Sequence, residues 1–226
     1  MKTTRLSGIL FLLYCSLCFL FQHCWNSEMT PVKDRKDSLK KNVIDGTLSI
    51  EKIERLDAQK DSLEKQFDLK QFDFSYPTYY HKNWWGIYGI RDNALTAGLD
   101  TIGNLFLFSN LVSDGAGKIQ HDSLLLLIND STWSSGETRT SPLTPELAGG
   151  TIEHGYYTNK NAIEILQAIA RNPNAVIKAE FWNERKILTI KLSARDKKGI
   201  RDCVLLSAVL IKISAERKRL AFPEGK

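Results

Sequence analysis

A histidine side chain can act as a general acid, a general base or a metal ligand. The chain contains four, at His23, His81, His121 and His154. No two of them stand at metal-ligand spacing, and the pattern His-Glu-x-x-His is absent. Asp122 follows His121, and Glu153 precedes His154, so each pair could bring an acid next to a base. Adjacent side chains on a strand point to opposite faces, so neither pair forms a site by itself. The sequence predicts no metal site and no cofactor.

The candidate nucleophiles and phosphate-binding segments do not match a known motif either. Ser134-Ser135-Gly136 is interpreted as a turn, because the nucleophile elbow requires Gly-x-Ser-x-Gly. Residues 114–118 lack the P-loop spacing and the Ser or Thr after the lysine, so they are predicted to form a hairpin loop. Cys203 falls on the apolar face of a predicted helix, where a small buried hydrophobe is expected rather than a reactive thiol. No catalytic residue is predicted.

One set of residues could still support an enzyme. Carboxylates such as Asp130, Glu137 and Glu153 could meet in space as the general acid and base of a hydrolase. Aromatic side chains, which could stack on sugar rings, are concentrated in one segment at Phe72, Phe74, Tyr76, Tyr79, Tyr80, Trp84, Trp85 and Tyr88. The same cluster could instead be the first strand and the lid of the core. An envelope hydrolase acting on cell-wall or sugar polymers is therefore the alternative function.

The first 24 residues have the features of a membrane-targeting segment. Lys2 and Arg5 provide a short basic start, and residues 9–21 form an almost unbroken apolar run of thirteen residues. That length matches the core of a signal peptide and is short for a transmembrane helix of about 20 residues. Residues 1–24 are therefore predicted to direct the chain to a membrane.

Three fates of this segment are open. Ser16 and Cys18 are small enough for cleavage by a signal peptidase. The basic start, the apolar run and the closing Cys24 resemble a bacterial lipoprotein signal, which implies that Cys24 is the lipidation site. In the lipoprotein pattern a small residue precedes the cysteine, whereas this chain has His23. The third fate is retention of the segment as a single-span anchor.

Two opposing signals bear on the orientation of the chain. Five basic residues lie shortly after the apolar run, at Lys33, Arg35, Lys36, Lys40 and Lys41, and they favour a cytoplasmic location for the rest of the chain. The position of the apolar run close to the N-terminus favours export, and we give that geometry more weight. We therefore expect a membrane-associated or exported protein, with the bacterial cell envelope as its location.

Two polar segments are predicted before the globular part. Residues 25–48 have the composition of a polar tether. Residues 49–70 are predicted to form a charged amphipathic helix with Ser49 as its N-cap. Its side chains at coiled-coil spacing are Ile53, Leu56, Lys60, Leu63 and Phe67. This stripe fits either a short coiled coil that mediates self-association or a helix that packs on its own domain.

Residues 72–226 have the pattern of an α+β globular domain. The pattern predicts, in order, strands at 104–112, 124–128, 133–141 and 151–158, a helix at 161–171, a hairpin of 175–182 with 188–192, and a last helix that Asp196 caps. The wholly apolar run 124–128 predicts a strand buried on both faces. The expected fold is an antiparallel sheet with two helices on one side.

The charge distribution bears on the partners. The chain carries a net charge of +5, and residues 178–226 contain thirteen Lys/Arg and six Asp/Glu. A basic C-terminal region could bind lipid headgroups or nucleic acid, but we prefer the interpretation as a solvated Lys-rich surface, and nucleic acid is not favoured. The sequence therefore predicts a membrane-tethered or exported envelope protein that acts by protein or surface interaction, without a catalytic signature.

Overall fold

The computed structural model of the chain describes residues 32–71, 77–83, 93–113, 120–137, 146–147, 150–184 and 187–222. The chain forms two compact units, Met1–Leu48 and Ser49–Lys226. The predicted targeting segment 1–24, including Cys24, and the predicted loop 114–118 lie outside the described residues. Within the described ranges, no helix combines the length and the apolar character needed to cross a membrane.

The first described element is helix α1, Val32–Glu64, which differs from the prediction at both ends. It begins well before Ser49, so residues 32–48 of the predicted tether are helical. Lys and Arg, which recur in this stretch, have good helix propensity, and a polar composition therefore does not distinguish a tether from a solvated helix. The helix ends before residue 70 because Phe67, only 6% exposed, starts a strand that enters the core.

Part of the predicted coiled-coil stripe packs on the chain's own domain. Phe67 belongs to the hydrophobic core, and Leu63 is partly buried against it. This contact is the one expected for a helix that packs on its own domain. A coiled coil through the rest of the stripe stays a prediction.

The described residues include ten strands, which are β1 (Phe67–Lys70), β2 (Thr78–His81), β3 (Ala94–Asp100), β4 (Leu105–Ser113), β5 (Ser123–Ile128), β6 (Ser131–Glu137), β7 (Glu146–Leu147), β8 (Gly150–Tyr157), β9 (Ile177–Trp182) and β10 (Ile187–Lys191). They form two antiparallel sheets rather than the single sheet that was predicted. The first sheet has the order β1-β2-β3-β4-β8-β7, and the second has the order β10-β9-β5-β6. Hydrophobic periodicity indicates which face of a strand is buried but not which strand it pairs with, so the division into sheets was not predictable.

Strands β5 and β6 correct two further predictions. The buried residues of β5 alternate with partly buried ones, so only one of its faces lies fully in the core. Ser134-Ser135-Gly136 is not a turn but part of β6, where two residues face Leu124 in a β-bulge. Gly136 has a φ of 70°, a backbone conformation that glycine adopts without strain. The buried hydroxyl of Ser135 accepts the N–H of Leu124 at 3.0 Å.

Two helices complete the domain, α2 (Lys160–Arg171) and α3 (Ala194–Ala221). The side chain of Asn159 caps α2, and Ser193 caps α3 with Asp196 in a reciprocal capping box, so Asp196 supports the cap rather than forming it. Helix α3 contacts β2, β3 and β4 of the first sheet, whereas α2 contacts β4 and, in the second sheet, β6. The result is an α+β fold with one core shared by both sheets and both helices.

Candidate functional site

A network of buried polar side chains joins the two sheets. His121 lies shortly before β5 of the second sheet, whereas Glu153 and Tyr157 lie on β8 of the first sheet. The alternation of β8 brings Glu153, Gly155 and Tyr157 to the same face. The Nδ1 atom of His121 contacts Oε1 of Glu153, and its Nε2 atom lies 2.5 Å from the hydroxyl oxygen of Tyr157.

The carboxylate of Glu153 is the main acceptor of this network. It accepts the backbone N–H of Gln120 at 2.7 Å and that of His121 at 2.8 Å, in addition to the contact with the imidazole. Burial raises the pKa of Glu153, but the hydrogen bonds from His121 and Gln120 lower it by more, so the net pKa lies below its usual value. Glu153 is therefore a buried carboxylate that the fold keeps ionised.

The other side of the imidazole faces two hydroxyl groups. The Tyr157 hydroxyl lies within hydrogen-bond distance of Nε2. Ser109 Oγ lies further from Nε2, at 3.4 Å. Burial is the largest of the effects that raise the pKa of Tyr157, so its phenol stays protonated at neutral pH.

The order carboxylate, imidazole, hydroxyl is the one that activates a nucleophile in many enzymes. Here the chemistry is closed to solvent, because Ser109 and His121 are fully buried and Glu153 is only 3% exposed. A substrate could reach Ser109 Oγ only if the core opened. The arrangement therefore fits a structural role in which the network links the two sheets. It was not predicted, because Glu153 and His121 are far apart in the sequence.

A second buried pair links the first sheet to α3. The backbone N–H of Asn83 donates to Nδ1 of His81, so Nε2 carries the proton and donates to Oδ2 of Asp202 at 3.1 Å. Lys198 Nζ lies 2.6 Å from the same oxygen. Burial is the largest cause that lowers the pKa of His81, Asp202 raises it, and the net pKa lies below its ordinary value, which favours the neutral imidazole. This pair is also enclosed, since His81 is 2% exposed.

The residues singled out from the sequence are mostly placed apart. Within each adjacent pair the two side chains lie apart, since Asp122 is exposed while His121 is buried, and His154 points away from Glu153. Asp130 lies in the exposed turn between β5 and β6, and the side chain of Glu137 falls outside the described part.

Cys203 is a buried hydrophobe, as the sequence indicated. Its Sγ atom lies 3.3 Å from the carbonyl oxygen of Ala97, and burial raises the pKa of the thiol. Among the residues that the structure describes, no three His, Cys, Asp or Glu side chains are grouped so that they could hold a metal ion.

A candidate binding surface is the aromatic face of the first sheet, which we define as Tyr80, Phe106, Phe108, His154 and Tyr156. These residues share the face that points away from Glu153 and Tyr157. The ring centroids of Tyr80 and Phe106 are 6.1 Å apart, those of Phe106 and Tyr156 are 4.8 Å apart, and those of Phe108 and His154 are 5.4 Å apart. Such spacings are those of interacting aromatic pairs.

The aromatic face includes one buried polar side chain, that of His154. His154 is 6% exposed, and among the described residues neither ring nitrogen has a hydrogen-bond partner. Burial lowers the pKa of His154, which favours the neutral ring. The imidazole of His154 stacks on the Phe108 ring at an interplanar angle of 27°.

A groove opens at one end of the aromatic face, with a volume of about 530 Å³. Phe106 and Tyr156 line it beside the turn between β3 and β4. In that turn the carboxylate of Asp100 accepts the N–H of Ile102 at 3.0 Å, and it also accepts the backbone and side-chain N–H groups of Asn104 at 2.8 and 2.7 Å. Asp100 is therefore engaged in fixing the turn.

The chain has no match among protein-family models, curated proteins or solved structures.

Proposed function

We propose that this chain is a membrane-tethered or exported envelope protein that acts by non-covalent binding at its surface. The observation that carries the proposal is that the histidine–carboxylate pairs are buried, whereas the aromatic groove is open to solvent. His121 and His81 each pair with a buried carboxylate inside the domain. Tyr156, in contrast, exposes 51% of its surface beside a groove of about 530 Å³. That volume lies within the range of about 300–1,000 Å³ common for small-ligand pockets.

The tether is the second part of the proposal. A basic start, a thirteen-residue apolar run and the closing Cys24 support delivery to a membrane, with lipidation of Cys24 as one route. Protein partners or self-association through the charged helix would then act close to that membrane.

Intact mass and fractionation of the native protein test the tether. The lipoprotein route predicts a chain that starts at Cys24, carries added acyl mass and sediments with membranes. The matched variant Cys24→Ser should lose the acyl mass. A full-length, unmodified chain in the cytosolic fraction would contradict the proposal.

The alternative function is an envelope hydrolase that acts on cell-wall or sugar polymers. The observation in its favour is that a carboxylate, Asp100, lies in the lining of an aromatic groove. A glycoside hydrolase generally needs two facing carboxylates, and Asp100 is the one carboxylate among the described lining residues. Turnover in a broad hydrolase screen that is lost in Asp100→Asn, while the variant remains folded by circular dichroism, would support this alternative.

A further inference from the structure

The groove is built on a row of residues that crosses four strands of the first sheet. Tyr80 on β2 pairs with Gly98 on β3, and Gly98 pairs with Phe106 on β4. Tyr156 on β8 lies diagonally from Phe106, and its ring is tilted by 40° against the Phe106 ring. The aromatic rings are therefore held by the register of the sheet rather than by a loop.

Gly98 leaves the space that the Phe106 ring occupies. A Cβ atom at this position would lie 2.7 Å from Cε2 of Phe106 and closer still to Cζ, which is shorter than any normal contact. The Phe106 ring thus lies across the backbone of β3, which a side chain at position 98 would prevent. Glycine within a strand weakens the sheet and commonly marks such a close approach. Tyr156 therefore packs against a Phe106 ring that Gly98 positions, while it remains exposed to solvent.

The exposed phenol of Tyr156 is preorganised for stacking. The residue is 51% exposed and its ring rests against Phe106, which is 7% exposed. Burial is the main cause that raises the pKa of both Tyr156 and Tyr80, so both hydroxyls remain neutral hydrogen-bonding groups at physiological pH. A tyrosine that is held in this way offers an apolar ring with a polar end at little cost in conformational entropy.

The charge and polarity of the groove indicate the class of ligand. Its described lining includes three neutral polar side chains, Thr78, Asn104 and Thr158, with Asp100 as an anion, and no Lys or Arg. Phosphate groups and anionic lipids are recognised by cations, so this lining does not suit them. A ligand with an apolar face for Tyr156 and uncharged hydroxyl groups around its edge fits both features.

We infer that this groove binds a neutral saccharide, with one sugar ring stacked on Tyr156 and its hydroxyls directed at the polar rim. The inference deepens the proposed function, on which it rests, by naming the ligand class of the same surface. Aromatic stacking contributes enough to binding that loss of one ring should weaken the affinity about tenfold.

Calorimetric titration of the full chain with cellohexaose, maltohexaose and hexa-N-acetylchitohexaose tests the inference, in a detergent without a sugar headgroup. At least one of these neutral hexasaccharides should bind, and Tyr156→Ala should weaken that binding about tenfold. The matched control is Trp182→Ala, which removes a 37%-exposed aromatic side chain from β9 of the second sheet and should leave the affinity unchanged. Gly98→Ala, which displaces Phe106, should weaken binding as Tyr156→Ala does.

Two results would overturn the saccharide site. One is the absence of heat from all three sugars at millimolar concentration, and the other is binding that Tyr156→Ala leaves intact while the variant remains folded by circular dichroism. Mass spectrometry of the recovered sugar separates this inference from the proposed function. Intact sugar that binds through Tyr156 would support both the saccharide site and the non-catalytic function. Cleaved sugar would support the site but refute the non-catalytic function.

Discussion

The substitution Glu153→Gln tests whether the buried network holds the two sheets together. The carboxylate accepts two backbone N–H groups and contacts the imidazole of His121. An amide of the same shape has one acceptor oxygen, so its NH₂ group must face at least one of those buried donors. An unsatisfied buried donor costs about 1–3 kcal/mol, and charge-assisted hydrogen bonds contribute about 1.5–3 kcal/mol. We therefore expect a loss of about 3 kcal/mol in the free energy of unfolding.

Equilibrium unfolding in urea measures this loss, with the slope of the transition compared between variants. The matched control is Glu164→Gln on α2, where the carboxylate is half exposed and forms a weak ion pair with Lys160. Exposed pairs of this kind contribute little, so the control should change stability by less than about 0.5 kcal/mol. A loss below about 1 kcal/mol for Glu153→Gln, or one equal to the control, would refute the reasoning.

The same substitution has a pH signature. The folded-state pKa of Glu153 lies below its ordinary value, so the ionised carboxylate stabilises the fold above the unfolded-state pKa of about 4.3. That stability is lost as the pH falls through the folded-state value. The difference in stability between the native chain and Glu153→Gln should therefore shrink as the pH falls below about 4. A difference that stays constant down to about pH 2 would mean that the carboxylate is not ionised in the fold.

Two further substitutions test the packing around the histidines. Gly155→Ala would place a Cβ atom 2.7 Å from Nε2 of His121 and should cost about 2 kcal/mol in urea unfolding, whereas Gly46→Ala, at a helix position with open space, should be neutral or stabilising. Equal effects of the two would contradict the close packing at Gly155. His154→Phe removes two buried nitrogens that lack described partners. It should therefore increase the free energy of unfolding by about 1 kcal/mol and raise the thermal midpoint. A lower midpoint would show that the imidazole is hydrogen-bonded.

The parts of the fold that the sequence predicted are those with local signals. Helix α2 was placed within one residue of Lys160–Arg171, because its apolar side chains recur at helical spacing and Asn172-Pro173 ends it. The hairpin of β9 and β10 was also predicted, and its register pairs Trp182 with Ile187. In both elements the residues that decide the structure lie next to each other in the chain.

The parts that were missed depend on contacts between distant segments. The second sheet forms because β5 pairs with β9, and nothing within residues 123–128 identifies that partner. The early end of α1 reflects the burial of Phe67 in the core, which the charge pattern of the helix does not show.

The buried networks were missed for the same reason. The sequence pairs His121 with its neighbour Asp122, and it offers Glu153 only as a partner of His154 or of other carboxylates. The contact between His121 and Glu153 arises from the packing of β8 against the segment that leads into β5, and no spacing rule describes it. Likewise, the need for glycine at position 98 can be recognised only once the register places Phe106 opposite to it.

We propose that the acid–base pairs of the interior are structural and that the chain acts by binding. A broad hydrolase screen of the purified full chain, run beside Glu153→Gln and Asp100→Asn, distinguishes binding from catalysis. We expect no turnover in the native chain above that of either variant. Turnover of any substrate that is abolished by Glu153→Gln in a folded protein would show that the core opens for catalysis and that the interior pairs are not merely structural.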